Sequence, residues 1–409
     1  ADHLRSAIEA QEALGAPDDL TLIDLHNNLG AVLSDLLEFD EAEQHLLAAE
    51  RLATERLSPD DELMITVTHN RGYLLHYQGR MEEAAAKYQA ALEAERRVFG
   101  ERHEFTLGTM NCYAPLLCDM GRLEEAQALF EATVAGRTEL LGPEHPSTLL
   151  ARQNLAQSNY RLGRVREAAA IQTECAPLFE RVLGPTHPWT VSNATNLATS
   201  LATLGRAEEA QDICRGLLGQ LASIPDNDLS LLIARLALGR SLIAGGAYAQ
   251  AAPLLRETYA DSIEAFGPDG RRSPAIRATL ARALAGAGEV EEAERHLRAV
   301  IASHESEGGS GSADLVTVRL DLADLLLDRG QPDAAREQDE LARSAAGSIP
   351  EGHWLRSRVD LEEGRALLAL GCPAAARPLL AAAAEGLAER LGPSHPLADQ
   401  ARVLELECE

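Results

Sequence analysis

A short signature returns along this chain at a nearly constant interval, and that interval constrains the fold more than any other feature. Gly-Arg-Met-Glu-Glu-Ala ends at Ala84, Gly-Arg-Leu-Glu-Glu-Ala at Ala126 and Gly-Arg-Val-Arg-Glu-Ala at Ala168. Gly-Arg-Ala-Glu-Glu-Ala ends at Ala210 and Gly-Glu-Val-Glu-Glu-Ala at Ala293, with weaker copies ending at Ala42, Ala251, Ala335 and Ala376. Successive spacings are 42, 42, 42, 42, 41, 42, 42 and 41 residues. A second small residue precedes each alanine by twelve positions: Gly30, Gly72, Ala114, Ala156, Ala198, Gly239, Ala281, Ala323 and Gly364. Leu follows that residue by three places in every repeat except the fourth, where Asn159 stands. With Leu29, Leu155 and Leu197 these leucines form i, i+4 pairs on one helix face. The glycines before the acidic turns (Gly79, Gly121, Gly163, Gly205) suit the left-handed residue that ends a helix. Each unit therefore reads as helix A, a tight turn, helix B and a loop. Such units bury their apolar faces only by stacking.

The loops between units are equally regular. Leu-Gly-Pro-Glu-His-Pro ends at Pro146, Leu-Gly-Pro-Thr-His-Pro at Pro188 and Leu-Gly-Pro-Ser-His-Pro at Pro396. Gly ends helix B, the first Pro forbids continuation and the second suits the first turn of the next helix. His145, His187 and His395 recur beside helix starts without acidic or thiol companions, so capping or loop packing is preferred to metal binding. The expected architecture is an all-α, right-handed superhelical solenoid of about nine antiparallel helix pairs with capping helices at its ends. Within one solenoid over 1–409, residues 1–15 read as a half-repeat or N-terminal cap and 391–409 as a C-terminal capping helix. The half-repeat favours a larger parent protein. Pro115 in a helix A and Pro177 in a helix B are expected to kink them, whereas Pro253 and Pro378 are placed in first turns. Glu305–Ala313 is expected to be the most flexible loop.

Composition narrows the function. The net charge of −27 opposes phosphate backbones and anionic lipid, so neither nucleic-acid binding nor docking on membranes is expected. No apolar run approaches the ~18 residues that a membrane span needs. The six cysteines (Cys112, Cys118, Cys175, Cys214, Cys372, Cys408) form no Cys-x-x-Cys pair and have no His at zinc-ligand spacing. They read as reduced thiols of a cytoplasmic protein. No nucleophile, phosphate-loop or metalloprotease motif occurs. The acid pairs Glu82-Glu83, Glu124-Glu125, Glu208-Glu209 and Glu291-Glu292 fall at helix B starts, where they complement the helix dipole. No enzyme activity, cofactor or metal is expected.

The small-residue offsets, the Gly-x-x-x-Glu-Ala turn and the 42-residue period resemble the kinesin-light-chain-like branch of tetratricopeptide repeats. Asn27-Asn28-Leu29-Gly30, Gln153-Asn154-Leu155-Ala156 and Thr195-Asn196-Leu197-Ala198 are similar to its Asn-Asn-Leu-Ala core. The resemblance spans essentially the whole chain. It implies a solenoid whose A helices line a concave groove.

If Leu29 and Leu33 face helix B, then Asp24, Asn28, Ala31 and Asp35 point into that groove. The same register gives Thr66, Asn70, Tyr73 and Tyr77, then Gly108, Cys112, Pro115 and Asp119. It continues with Leu150, Asn154, Gln157 and Arg161, then Ser192, Asn196, Thr199 and Thr203. Asn28, Asn70, Asn154 and Asn196 share one position, with Asn111 one residue away. Asn is a poor residue for a helix interior. Its amide suits the backbone of an extended ligand, the role that the resemblance implies, and it equally suits bonds that hold neighbouring repeats in register. His69, Tyr73, His76 and Tyr77 offer aromatic surface for an apolar side chain or for packing between repeats. Residues 16–223 thus form an amide-rich groove. Over 224–390 the groove turns charged: Arg240, Arg282 and Arg365 share a position, and Asp321, Asp324 and Asp328 interrupt them. These arginines could hold carboxylates or phosphates, although internal pairing with the aspartates is favoured.

The expected function is a scaffold that binds a protein or peptide in the concave groove. The alternative is a sensor or regulatory region of a larger bacterial signalling protein whose effector domain precedes Ala1.

Overall fold

The computed structural model describes residues 1–14, 18–225, 228–267, 273–306 and 313–408. Helices alone make up its regular structure among these residues, in two compact units covering 1–155 and 156–409. Of the expected flexible loop Glu305–Ala313, residues 307–312 lie outside the described residues.

The N-terminal unit opens with a lone helix, α1 (Asp2–Glu12), and continues as helix pairs. These are α2 (Asp19–Asp35) with α3 (Phe39–Arg56), α4 (Glu62–Tyr77) with α5 (Met81–Val98), and α6 (Glu104–Asp119) with α7 (Leu123–Leu141). Helix α8 (Pro146–Arg161) crosses the division between units. In the C-terminal unit follow α9 (Val165–Leu183), α10 (Pro188–Thr203), α11 (Ala207–Gln220), α12 (Leu229–Ala244) and α13 (Tyr248–Phe266). Then come α14 (Ser273–Gly286), α15 (Val290–Ser306), α16 (Ala313–Asp328), α17 (Pro332–Ala345), α18 (Trp354–Ala369) and α19 (Pro373–Arg390). Helix α20 (Pro396–Leu406) closes the chain, with Ala398 and Ala401 buried and Leu397 and Leu404 packed on the core beneath. In each unit, successive pairs stack as a solenoid.

The small residue on helix A exists to admit one large residue of helix B. A methyl group added at Gly30 would lie 2.5 Å from Leu46 Cγ, and one at Gly239 would lie 2.5 Å from Leu255 Cδ2. Four residues after each repeat's alanine comes the side chain that fills this contact: Leu46, Tyr88, Phe130, Gln172, Cys214, Leu255, Leu297, Asp339 and Leu380. All nine are buried. The turn between helices is closed as the glycines foretell. Gly79, at φ 77°, donates to His76 O, and Arg80 N–H donates to Leu75 O at 2.9 Å.

The loop histidines cap helices. Nδ1 of His103, His145, His187, His353 and His395 each accepts the backbone N–H two residues on, at 3.1–3.3 Å. Helices α6 and α9 run without a break through Pro115 and Pro177. Pro253 and Pro378 are not in first turns: α13 and α19 begin at Tyr248 and Pro373, five residues earlier. The acidic turn motif that marks other helix B starts is missing there, which hid the true start.

Asp339 breaks the core column. Neither carboxylate oxygen has a hydrogen-bond partner, and burial, reinforced by Glu362 and Glu363, pushes its pKa up to about 8. Folding therefore favours the protonated form. The contribution of this group is intact below its ordinary value of 3.8 and is lost as pH rises through about 8. The variant Asp339→Leu, which restores the residue of four other repeats, should be more stable at pH 8 by about 1–3 kcal/mol. Urea denaturation at pH 5 and pH 8 measures this, and a gain no larger at pH 8 than at pH 5 would refute it.

Candidate functional site

The face of each A helix turned away from helix B is the surface on which a ligand could lie. In the N-terminal unit Asp24, Asn28, Asp35 and Tyr77 are exposed, and Thr66, Asn70, Tyr73, Cys112, Pro115 and Asn154 are half-buried. The residues between them, such as Leu29, Leu33, Leu74 and Leu75, are buried against the B helices.

The asparagines are linked in pairs. Asn70 Nδ2 donates to Asn27 Oδ1 at 2.9 Å, and Asn154 Nδ2 donates to Asn111 Oδ1 at 3.1 Å. Each bond ties one A helix to the next. An amide has two N–H groups and a two-lone-pair oxygen. One such bond therefore leaves Asn70 and Asn154 a donor and an acceptor on the half-exposed face. Asn28 is exposed and has no side-chain partner among the described residues.

The aromatic cluster divides. Tyr73 and Tyr77 lie with ring centres 4.8 Å apart, and Tyr73 Oη donates to Asp35 Oδ1 at 3.0 Å. His76 Nε2 lies 3.0 Å from Asp119 Oδ2 on the next A helix. His69 turns away into the helix stack. Its Nδ1 lies 2.7 Å from Thr109 Oγ1, and that hydroxyl donates to Glu95 Oε1 at 2.8 Å. The hydroxyl proton is thus committed to Glu95, which makes Nδ1 the donor to Thr109. Burial lowers the His69 pKa to about 4 and raises that of Glu95 to about 7. Glu95 Oε2 and the Tyr88 hydroxyl are buried without partners.

Asn27, Thr109 and Glu95 were not singled out by sequence reasoning, although the repeat register marks one of them. Eleven residues after the alanine in repeats one to five the column reads Ala53, Glu95, Arg137, Phe179 and Leu221, so within these five two charged residues stand at a position otherwise apolar. Arg71 is likewise buried, its Nε donating to Glu50 Oε2 at 3.2 Å.

In the C-terminal unit the charged groove is paired internally. Arg282 Nε lies 3.2 Å from Asp321 Oδ2, and Arg358 Nη2 donates to Asp321 Oδ1 at 2.7 Å. Arg365 bonds Asp324 and donates to Glu362 Oε2 at 2.5 Å. Arg240 is half-buried, and burial pulls its pKa down against Tyr160 and Asp314, which favour its charge. Asn196 and Gln157 have no side-chain partner among the described residues, and Gln157 and Arg161 are exposed.

Two turns of this unit are covered by loops much later in the chain. His395 Nε2–H donates to the Thr203 carbonyl at 3.0 Å across 192 residues. A methyl group at Gly205 would sit 3.3 Å from Pro396 Cδ, and one at Gly163 would sit 3.0 Å from His353 Cα. Val165 is buried in the same cluster as Leu361, Leu380 and Leu391, and Tyr160, Leu204 and Trp354 pack on it. The A–B turns at 162–165 and 203–206 therefore lie against the loops that open α18 and α20, at nearly the same sequence separation.

No group of three or more His, Cys, Asp or Glu that could hold a metal occurs among the described residues. None of their helices is long and apolar enough to cross a membrane.

Models of the tetratricopeptide repeat match residues 105–181, 158–215, 242–307 and 278–349, together more than half of the chain. No curated protein matches it significantly. Among solved structures, the chain is similar to the apo form of the quorum sensor NprR from B. thuringiensis, at 14% identity and a TM-score of 0.57. That match covers 85% of this chain and 92% of that one. It is also similar to a Rap protein complexed with Competence and Sporulation Factor, at 12% identity and a TM-score of 0.55, covering 84% and 97%. A Podosopora anserina protein of kinesin light chain type, with nearly identical TPR-like repeats, matches at 22% identity and a TM-score of 0.46. It covers 50% of this chain and 96% of that one.

Two outcomes follow from this geometry. Glu95 contributes stability below its ordinary value of 4.5 that is lost as pH rises through about 7. His69 titrates in the opposite sense in both proteins, so comparing Glu95→Gln with wild type isolates the carboxyl. Urea midpoints should lie much closer at pH 5 than at pH 8, where the variant should be more stable by about 1–3 kcal/mol. Separately, His395→Asn keeps a good N-cap for α20 and deletes the bond to Thr203. Hydrogen exchange should then accelerate over residues 200–206 while α20 stays protected. Unchanged exchange there would mean that the stacked edges do not depend on His395.

Proposed function

Because the chain belongs to the tetratricopeptide repeat family, we propose that it binds a protein or peptide partner in the concave groove of its N-terminal unit. The carrying observation is the face formed by Asn28, Asn70, Tyr73, Tyr77 and Asn154, which keeps unused amide groups and aromatic edges in reach of water. Amides at one-repeat spacing can pair with the backbone of an extended segment, and aromatic edges supply apolar area at low entropic cost. The interior of the C-terminal unit supports this role less well, since its arginines already hold aspartates and glutamates. A fold that carries Competence and Sporulation Factor in the Rap complex supports a peptide-sized ligand. The free cysteines, three of them buried, suit a cytoplasmic protein.

The test separates recognition from register. Asn70→Ala and Asn27→Ala delete the same bond between repeats and should lower stability alike, by about 1 kcal/mol. Only Asn70→Ala also removes an amide from the groove. Partner capture by the full chain should fall several-fold for Asn28→Ala/Asn70→Ala and stay near wild type for Asn27→Ala. Equal capture by both variants would sink the groove reading.

A further inference from the structure

The first A–B turn differs from its counterparts in ways that folding alone does not require. In repeats two to five the turn carries Gly then Arg, as in Gly79-Arg80 and Gly121-Arg122. In repeats two, three and five the arginine pairs in bidentate fashion with the glutamate three residues on, as Arg122 does with Glu125 at 2.7 Å. In repeat one the same positions hold Leu37 and Glu38. The backbone is unchanged: Leu37 N–H donates to Ser34 O and Glu38 N–H to Leu33 O. Leu37 is consequently held at φ 63°, the only residue other than glycine at positive φ among the described residues. A leucine there costs of order 1 kcal/mol relative to glycine.

No contact among the described residues covers this side chain. Leu37 is 63% exposed and Leu36 55% exposed. Phe39 and Tyr77 extend the patch, their ring centres 6.4 Å apart. Leu37, Glu38, Phe39, Asp40 and Glu41 surround an open hollow of about 360 Å³. Three carboxylates rim it, and the chain itself shows what they accept. Arg5 Nε donates to Glu41 Oε1 at 2.8 Å, and its Nη2 lies 3.5 Å from Glu38 Oε2. Glu38 remains half exposed, and Asp40 has no side-chain partner among the described residues.

We infer that this turn is a second docking surface, bordering the groove at Tyr77, for a partner segment in which an apolar side chain is flanked by arginine or lysine. Leu36 and Leu37 supply apolar area, and Glu38 and Asp40 supply the charge left over after Arg5 is satisfied. A leucine in a strained backbone position, exposed and ringed by acids, is accounted for by contact with such a segment.

Reversion to the pattern of the other repeats tests this cleanly. Leu37→Gly/Glu38→Arg should fold about as stably as wild type, because the strain relieved at position 37 offsets the lost Arg5–Glu38 contact while Glu41 is shared between Arg5 and the new arginine. The probe is a fluorescein-labelled peptide of sequence Gly-Arg-Leu-Leu-Arg-Gly, titrated with the full chain at low salt and followed by anisotropy. Wild type should bind it saturably, tenfold or more tightly than the reverted variant, and more tightly than Gly-Glu-Leu-Leu-Glu-Gly. Asn28→Ala/Asn70→Ala should bind it as wild type does, which keeps this surface separate from the groove. Equal binding by the reverted variant, equal binding of the acidic peptide, or no saturable binding would each overturn the inference. So would self-association, seen by sedimentation, that disappears on reversion, since a second copy would then be the occupant.

Discussion

The fit of one large side chain from helix B against one small residue of helix A is the contact on which the rest depends. At Gly30 there is no room even for a methyl group beside Leu46. That closeness fixes how each pair is rotated, because the helix A face bearing the small residue must point at helix B. The opposite face is thereby delivered to the groove, with Asn28, Asn70 and Tyr73 on it. Packing in the core thus decides which side chains can meet a ligand. In a stacked array the same geometry passes from each repeat to its neighbour.

This dependence explains what could be read from the residues alone. Small residues recurring at 42-residue spacing define the helix pairs, and the i, i+4 leucines define the buried face. From these two facts the exposed stripe follows by helical geometry. The bonds made by the stripe do not follow, because they depend on side chains 38–43 residues away. Asn70 reaching Asn27 and Tyr73 reaching Asp35 are tertiary contacts between residues unremarkable in their own repeats. The covering of Gly163 by His353 lies still further from local pattern, since it is set by the pitch of several repeats together. A loop histidine reads as a cap from its neighbours, and His395 is one. Its second contact, to Thr203, has no local signature.

Asparagine on the solvent-facing side of the A helices can meet two demands that need not compete. Four hydrogen-bonding positions on one amide let a single bond set register while others remain for a ligand. Arginine in the C-terminal unit is different. Arg282, Arg358 and Arg365 are matched in charge by Asp321, Asp324 and Glu362, and a ligand anion would have to displace one of these carboxylates. Amide-lined and ion-paired surfaces of the same fold are therefore unequal as binding sites. Likeness of repeat position at Tyr73 and Arg240, each one residue after its repeat's small residue, does not imply likeness of use.

A repeated array also supplies its own control, because every residue can be compared with its equivalents in the same chain. Departures fall into two kinds. Glu95 and Asp339 place ionisable groups in columns that are otherwise mainly apolar, and burial shifts their pKa values into the neutral range. Leu37 places an apolar side chain in solvent at a backbone position suited to glycine. Both kinds reduce stability, and a solenoid tolerates them because each repeat relies only on its neighbours. They differ in where compensation can come from. A buried carboxyl can be relieved by proton uptake within the fold. An exposed leucine in a left-handed turn has no such internal remedy, so contact with another molecule is the remaining source of compensation. That asymmetry is what separates a core irregularity from a surface that points outward to a partner.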